Sequence, residues 1–116
     1  MKENSSLWEW ELLMPQADPA MPSFCARQLR ILADQTRLAV VQMLMEGPKH
    51  VGELNRRLDL EQSLLSHHLK VLRREGLVVS SREGKAVLYQ LAPGVQIGSA
   101  KALNLGCCSL SFETGA

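Results

Sequence analysis

The feature that most constrains the fold is a change of hydrophobic period at Gly76. Before it, VGELNRRL and QSLLSHHLKVLRREG carry apolar residues at helical spacing and predict two short helices joined by a turn around DLEQ. After it, LVVSSR and AVLYQL alternate with a period of two, and the intervening EGK predicts a hairpin. The centre of the chain must therefore form a helical pair followed by a small antiparallel sheet.

Helical periods also precede and follow this centre. SFCARQLRILA and DQTRLAVVQMLMEG predict two earlier helices, the second capped by Asp34 and stopped by GP at positions 47–48. Apolar spacing at Ala102, Leu105 and Cys108 predicts a last helix over 95–110. The resulting order, helix, helix, helix-turn-helix, hairpin, helix, predicts a winged helix-turn-helix, a mainly α fold with a small β-hairpin (α+β).

The length of 116 residues fits one domain, which we place at 23–110 between an N-terminal extension over 1–22 and a C-terminal tail over 111–116. In the extension, Ser5 or Ser6 is expected to cap a short helix, and Trp8 and Trp10 to pack on the body or on a partner. No apolar run reaches the length of a membrane span, and the acidic start does not resemble a signal peptide. A cytoplasmic protein is expected.

Charge and motifs favour binding over catalysis. The chain carries 13 basic and 12 acidic residues, but 49–90 alone carries eight basic and five acidic residues, a net charge of +3. A mildly basic centre is compatible with DNA. The sequence shows no Ser-His-Asp order, phosphate loop or catalytic carboxylate pair, so we do not expect an enzyme. A winged helix that binds protein instead of DNA is the alternative.

The second helix of the pair has the two faces that a DNA-reading helix needs. Leu65, Leu69 and Leu72 form an apolar stripe that docks on the domain. Short, polar and basic residues occupy the opposite face, where such a helix meets the major groove with its N-terminal part. The predicted DNA contacts there are Gln62, Ser63, Ser66 and His67 for base edges and Lys70 and Arg74 for phosphates.

The adjacent histidines have different expected roles. His67 lies on the DNA face, whereas His68 lies between Leu65 and Leu72 and is predicted to be a core or half-buried hydrogen-bonding residue. In the hairpin, Arg82 and Lys85 flank the tip and are predicted to meet phosphate or the minor groove.

Three segments together, LADQTRL, SHHLKVLRREGLV and REGKAVLYQL, resemble the ArsR/SmtB family of bacterial metal-sensing repressors. The similarity covers about residues 29–91. It implies a homodimeric repressor of double-stranded operator DNA, with the first and last helices at the dimer interface and an inducer that releases the DNA. Two of the family's usual sensor sites are missing, because HVGEL lacks a cysteine pair and no histidine follows His68.

The candidate sensor residues that remain are Cys25, Cys107 and Cys108. Thiolates prefer soft ions, so the expected inducer is As(III) or Sb(III), with no permanently bound cofactor. The third ligand beside the adjacent pair is expected to be Cys25, contributed across the dimer by the partner's first helix, or else water or a small thiol. Cadmium or lead at three thiolates, and a disulfide or polysulfide between Cys25 and Cys107, are the rival sensing chemistries.

Overall fold

A computed structural model of the chain describes residues 22–99 and 101–113. The expectations for the first 21 residues, including the capped helix and the packing of Trp8 and Trp10, lie outside this part. Among the described residues no helix has the length and apolarity to cross a membrane. The helices described are α1 (Pro22–Leu32), α2 (Gln35–Leu44), α3 (Val51–Leu58) and α4 (Gln62–Arg74).

Two small antiparallel sheets accompany the helices. The first has the strand order β1-β3-β2, built from β1 (Lys49–His50), β2 (Val78–Glu83) and β3 (Ala86–Leu91). The second is a hairpin of β4 (Ala102–Asn104) and β5 (Ser109–Ser111). The helix pair α3–α4 and the β2–β3 wing confirm the predicted winged helix-turn-helix. Strand β1, which pairs Lys49 with Tyr89, was not predicted, because two residues carry no readable period.

Local sequence signals explain where the helices begin and end. Asp34 caps α2, and its carboxylate accepts a hydrogen bond from the Arg37 backbone N–H at 3.0 Å. Gly76 follows α4 with φ of +81°, a left-handed conformation that turns the chain into β2 at little steric cost. These signals fix where α2 begins and where α4 ends.

A single apolar core joins all of these elements. Its fully buried members come from α2, α3, α4, β2 and the terminal hairpin, and include Val40, Leu54, Leu65, Leu69, Leu72, Val78 and Leu103. Burying one such side chain contributes about 1.5–3 kcal/mol. The predicted apolar stripe of α4 is therefore confirmed as the face that fixes this helix on the domain.

The predicted last helix over 95–110 is wrong, because the chain there turns and then forms the β4–β5 hairpin. Gly98 and Gly106 adopt φ of +54° and +92°, which no right-handed helix contains. Leu103 and Leu105 are both buried while Asn104 between them is exposed, an alternation that belongs to extended chain. The predicted helical face of Ala102, Leu105 and Cys108 is therefore not formed: Ala102 lies in β4, whereas Leu105 and Cys108 lie in the turn that follows it.

Candidate nucleic-acid interface and sulfur cluster

The six residues predicted to contact DNA from α4 are all exposed, and we call them the reading face: Gln62, Ser63, Ser66, His67, Lys70 and Arg74. The opposite side of α4 is buried, so the helix has a fixed orientation. Serine side chains are short enough to let the helix approach a groove, and the two basic residues lie toward its C-terminal end. The arrangement suits base contacts at the N-terminus of α4 and phosphate contacts behind them.

His68 lies on the packing side of α4, as predicted, and is 8% exposed. Its Nδ1 lies 3.3 Å from Arg37 Nη1 and 3.9 Å from the Asp34 carboxylate. Burial lowers the His68 pKa, and the Arg37 charge acts in the same direction, while Asp34 opposes the shift. The Arg37 guanidinium can only donate, so a neutral His68 ring accepts its hydrogen bond. His68 thus ties the reading helix to the start of α2.

The wing carries the other two predicted DNA contacts. Arg82 in β2 and Lys85 at the hairpin turn are both exposed. Two side-chain contacts hold the wing in place: His50 Nε2 lies 2.9 Å from Glu83 Oε1, and Arg73 Nη1 donates to Ser80 Oγ at 3.5 Å. The two wing cations therefore extend from a sheet whose position relative to α4 is set.

The three cysteines come together where α1 meets the terminal hairpin. Cys25 of α1 and Cys107 are joined by a disulfide, and Cys108 Sγ lies 3.5 Å from each of their sulfur atoms. All three are half-buried, and their sulfurs lie within 4.8 Å of one another. The expectation that Cys25 approaches the pair across a dimer is corrected, since one chain gathers all three over a separation of 82 residues.

The terminal hairpin places the adjacent cysteines at this point. They lie in the turn between β4 and β5, where the Gly106 N–H donates to the Asn104 side-chain oxygen at 2.9 Å and the Leu105 N–H to the Cys108 carbonyl at 2.9 Å. A turn of this kind lets both thiols face α1, which consecutive positions on a helix would not allow. The disulfide forms between distant residues and leaves Cys108 as a free thiol.

An ion pair that the sequence did not reveal joins the cysteine-bearing helix to the reading helix. Arg27 donates from Nε and Nη2 to the two Glu75 carboxylate oxygens, each at 3.0 Å. Glu75 is the C-terminal cap of α4, and its side chain is 6% exposed. Arg27 lies two residues after Cys25. Nothing local in the sequence marks this pair, whose members are 48 positions apart.

A second contact runs between the same elements. Arg37 Nε donates to the Ile31 carbonyl near the end of α1 at 2.7 Å, while its Nη1 meets His68 of α4. A displacement of α1 therefore reaches α4 at two points, the half-buried Arg27–Glu75 pair and the Arg37–His68 contact.

Comparison with known proteins agrees with this architecture. The sequence of residues 34–80 matches the protein-family model described as bacterial regulatory protein, arsR family. The transcriptional activator HlyU of Vibrio cholerae is 45% identical over 64 residues, which cover 55% of this chain and 59% of that protein. The arsenical resistance operon repressor of Escherichia coli is 41% identical over 76 residues, 65% of either chain. The chain thus spans less than two thirds of these curated relatives.

Solved structures extend the comparison. HlyU from Vibrio cholerae N16961 superposes with a TM-score of 0.58 at 41% identity, covering 62% of this chain and 82% of that one. The transcriptional repressor BigR from Xylella fastidiosa gives a TM-score of 0.55 at 30% identity, and the match covers 80% of this chain and 79% of that one.

Proposed function

Because the chain belongs to the arsR family of bacterial regulatory proteins, and is thus a DNA-binding transcriptional regulator, we propose that it is a repressor that trivalent arsenic or antimony releases from its operator. One observation carries the choice of inducer. Three cysteine sulfurs lie within 4.8 Å of one another, and three sulfur ligands are what As(III) and Sb(III) bind. The named function of a relative, arsenical resistance operon repressor, supports the same choice.

The DNA-binding part of the proposal rests on the reading face and the wing. The N-terminal half of α4 enters the major groove, where Gln62, Ser63, Ser66 and His67 read base edges. The exposed cations Lys70, Arg74, Arg82 and Lys85 contact the backbone, so binding weakens steeply with salt. The unit that binds spans 23–110, and it acts in the cytoplasm, where its DNA is.

The proposed active form is a homodimer. Two copies of α4, one DNA turn or about 34–36 Å apart, would recognise an imperfect palindrome. The dimer interface was expected to contain the first and last helices. Because the β4–β5 hairpin stands in place of the last helix, α1 is the helix that remains to form this interface. Its exposed Ala26 and Leu29 support this assignment, since Leu29 is a large apolar side chain that is 45% exposed.

The sensing step exchanges oxygen for sulfur at arsenic without a change of oxidation state. A small cellular thiol first reduces the Cys25–Cys107 disulfide, and its own sulfurs are oxidised to a disulfide. The three thiols then replace the three hydroxyl groups of arsenous acid, each losing its proton, and three waters leave. Bound arsenic thus holds α1 to the hairpin through three sulfurs.

We take the Arg27–Glu75 pair as the route from this cluster to the DNA. Cys25 and Arg27 lie within one turn of α1, so a change at the sulfurs moves the Arg27 guanidinium. This guanidinium binds Glu75 at the C-terminal end of α4. The inducer must favour the arrangement of α4 that binds DNA poorly. A coupling of about 1–3 kcal/mol is typical of such systems.

The test is an arsenite titration of the reduced protein bound to a fluorescent duplex selected from a random pool. Release of DNA and one arsenic per chain are expected. The single variants Cys25→Ser, Cys107→Ser and Cys108→Ser should lose most of the response, whereas Ser109→Ala, an exposed neighbour, should keep it. A full response in all three cysteine variants would refute the arsenic site. Cadmium and lead, tested in parallel, report whether the site prefers another thiophilic ion.

The observed disulfide supports a second candidate, a repressor that senses oxidants or persulfides. Here the thiols of Cys25 and Cys107 lose two electrons and two protons to the oxidant as their disulfide forms. With persulfides, each thiol instead takes the outer sulfur of one persulfide and releases its parent thiol, and the two cysteine persulfides then join as a trisulfide while hydrogen sulfide leaves. Cys108 separates the two candidates. Cys108→Ser should abolish the arsenite response of an arsenic sensor but leave the oxidant response of a disulfide sensor intact. Mass spectrometry without reductant identifies the product after each treatment.

A further inference from the structure

Leu64 is an apolar residue exposed on the helix that reads DNA. Its side chain is 43% exposed, and the other large hydrophobic residues so exposed in the described ranges, Leu29 and Ile97, lie outside α4. The preceding Gln62 and Ser63 are polar and exposed, as is His67, three residues further on. Leu64 borders the buried side of α4, since His68 and Val71, four and seven residues further on, are buried, but its own side chain is left uncovered.

The position of Leu64 is one from which a side chain reaches bases. It is the third residue of α4, in the first turn, and the N-terminal residues of a recognition helix contact base edges. Residues three apart are neighbours on a helix surface, so Leu64 lies beside His67 at the border of the reading face. Its other neighbour on that side, His68, is occupied by Arg37.

A leucine side chain has no hydrogen-bond donor or acceptor, and this restricts what it can recognise. The edges of guanine, cytosine and adenine in the major groove present hydrogen-bonding groups, whereas thymine also presents its C5 methyl group. We infer that Leu64 is a specificity-determining residue that contacts a thymine methyl group in each half-site. The inference rests on the proposed DNA binding and adds that the operator contains a thymine opposite the first turn of α4.

The experiment removes the methyl group from the DNA and the side chain from the protein. Duplexes selected from a random pool by the wild-type protein are resynthesised with deoxyuridine in place of each thymine in turn. At one position in each half-site, this substitution should weaken binding of the wild-type protein about three- to tenfold, because one apolar contact is lost. In Leu64→Ala, the same deoxyuridine substitution should have no further effect. Leu64→Met, which keeps an apolar side chain, should retain part of the discrimination.

Ile97→Ala is the matched control, since it truncates an equally exposed apolar residue away from α4 and should leave the methyl dependence unchanged. Wild-type binding that ignores every deoxyuridine substitution, or a Leu64→Ala variant that still discriminates thymine from uracil, overturns the inference. If the wild-type protein enriches no sequence at all, the proposed function fails, and the two failures are thereby distinguished.

Discussion

The DNA-reading unit, residues 35–91, and the sulfur end, formed by α1 and the β4–β5 hairpin, are held together in different ways. The reading unit is fixed by buried apolar side chains on consecutive elements, such as Leu54 of α3 and Leu65 and Leu69 of α4. The sulfur end joins residues 82 positions apart through a covalent bond between cysteines. Both regions share the apolar core, which includes Leu103 of the hairpin, but only the sulfur end adds a bond that redox chemistry can break or an inducer can replace.

This difference suggests a division of labour. A reading helix must keep its shape in every state of the protein, and a packed apolar face gives it that constancy. A sensor must have two arrangements that differ by a few kcal/mol. The half-buried Arg27–Glu75 pair joins the two regions, so each region and the connection between them can be disturbed separately.

The largest expected effect lies in the reading unit. The double substitution Ser66→Glu and His67→Glu should weaken specific DNA binding at least about 100-fold, because each lost base contact costs about 1–3 kcal/mol and the new carboxylates face phosphate. Fluorescence anisotropy on a selected duplex measures the affinity. The melting temperature should stay near that of the wild type, since both residues are exposed.

The control for this substitution places the same charges outside the reading unit, one just before the terminal hairpin and one within it. Ser99→Glu with Ser109→Glu adds two carboxylates at exposed positions outside α4 and should cost only a small fraction of that affinity. Equal losses from the two double variants would mean that net charge and not the reading face governs binding. No loss from either would favour a winged helix that binds protein.

The second effect concerns the stability of the sulfur end. Cys25→Ser removes a disulfide that closes a loop of about 80 residues, and the free energy of unfolding should fall by about 2–4 kcal/mol. Urea denaturation under oxidising conditions measures it, and hydrogen exchange should show faster opening in β4 and β5 than in α4. Cys108→Ser, which breaks no bond, is the matched control. Equal stability of Cys25→Ser and the wild type would show that the hairpin needs no covalent tie.

The two regions also differ in how far the sequence predicts them. The bounds of α3, the Asp34 cap and the burial of His68 follow from local period and capping, and the structure confirms them. The apolar spacing at Ala102, Leu105 and Cys108 predicts a helix that is not there, because a short apolar run fits either period until its partner strand is known. Long-range partners, such as Glu75 for Arg27, leave no local mark at all. The chemistry of thiols is enough to group the three cysteines as candidate ligands. That they meet within one chain could not be predicted, because Cys25 and Cys107 are 82 positions apart and only the folded structure brings them together.

The third effect tests the connection between the regions. Glu75→Gln removes the carboxylate charge that pairs with Arg27. Inducer binding at the cysteines should therefore displace α4 less. DNA affinity of the reduced protein should stay within about threefold, while the ratio of affinities without and with inducer should fall at least about fivefold, near the lower end of typical coupling. Anisotropy titrations of one protein sample in both states give this ratio.

Glu46→Gln provides the comparison for the connection, because Glu46 forms an exposed ion pair with Arg57 at 3.2 Å, remote in the sequence from the cysteines. Exposed pairs of this kind contribute about 0–1 kcal/mol, so its inducer ratio should match that of the wild type. If Glu75→Gln also keeps the wild-type ratio, the signal does not pass through Arg27, and the Arg37–His68 contact becomes the route to test.

The smallest effect is a pH dependence at the point where α4 meets α2. Burial lowers the pKa of His68 below its usual 6.5, so the unfolded chain binds a proton there more readily than the folded one. Stability from the neutral ring is therefore complete above pH 6.5 and declines as the pH falls from there toward the folded pKa. His68→Asn should flatten this part of the urea-derived stability profile, whereas His67→Asn, an exposed neighbour, should leave it in place. If the free energy of unfolding of His68→Asn still declines with falling pH as in the wild type, another group causes the decline. The Arg37–His68 contact would then not be what couples stability to pH.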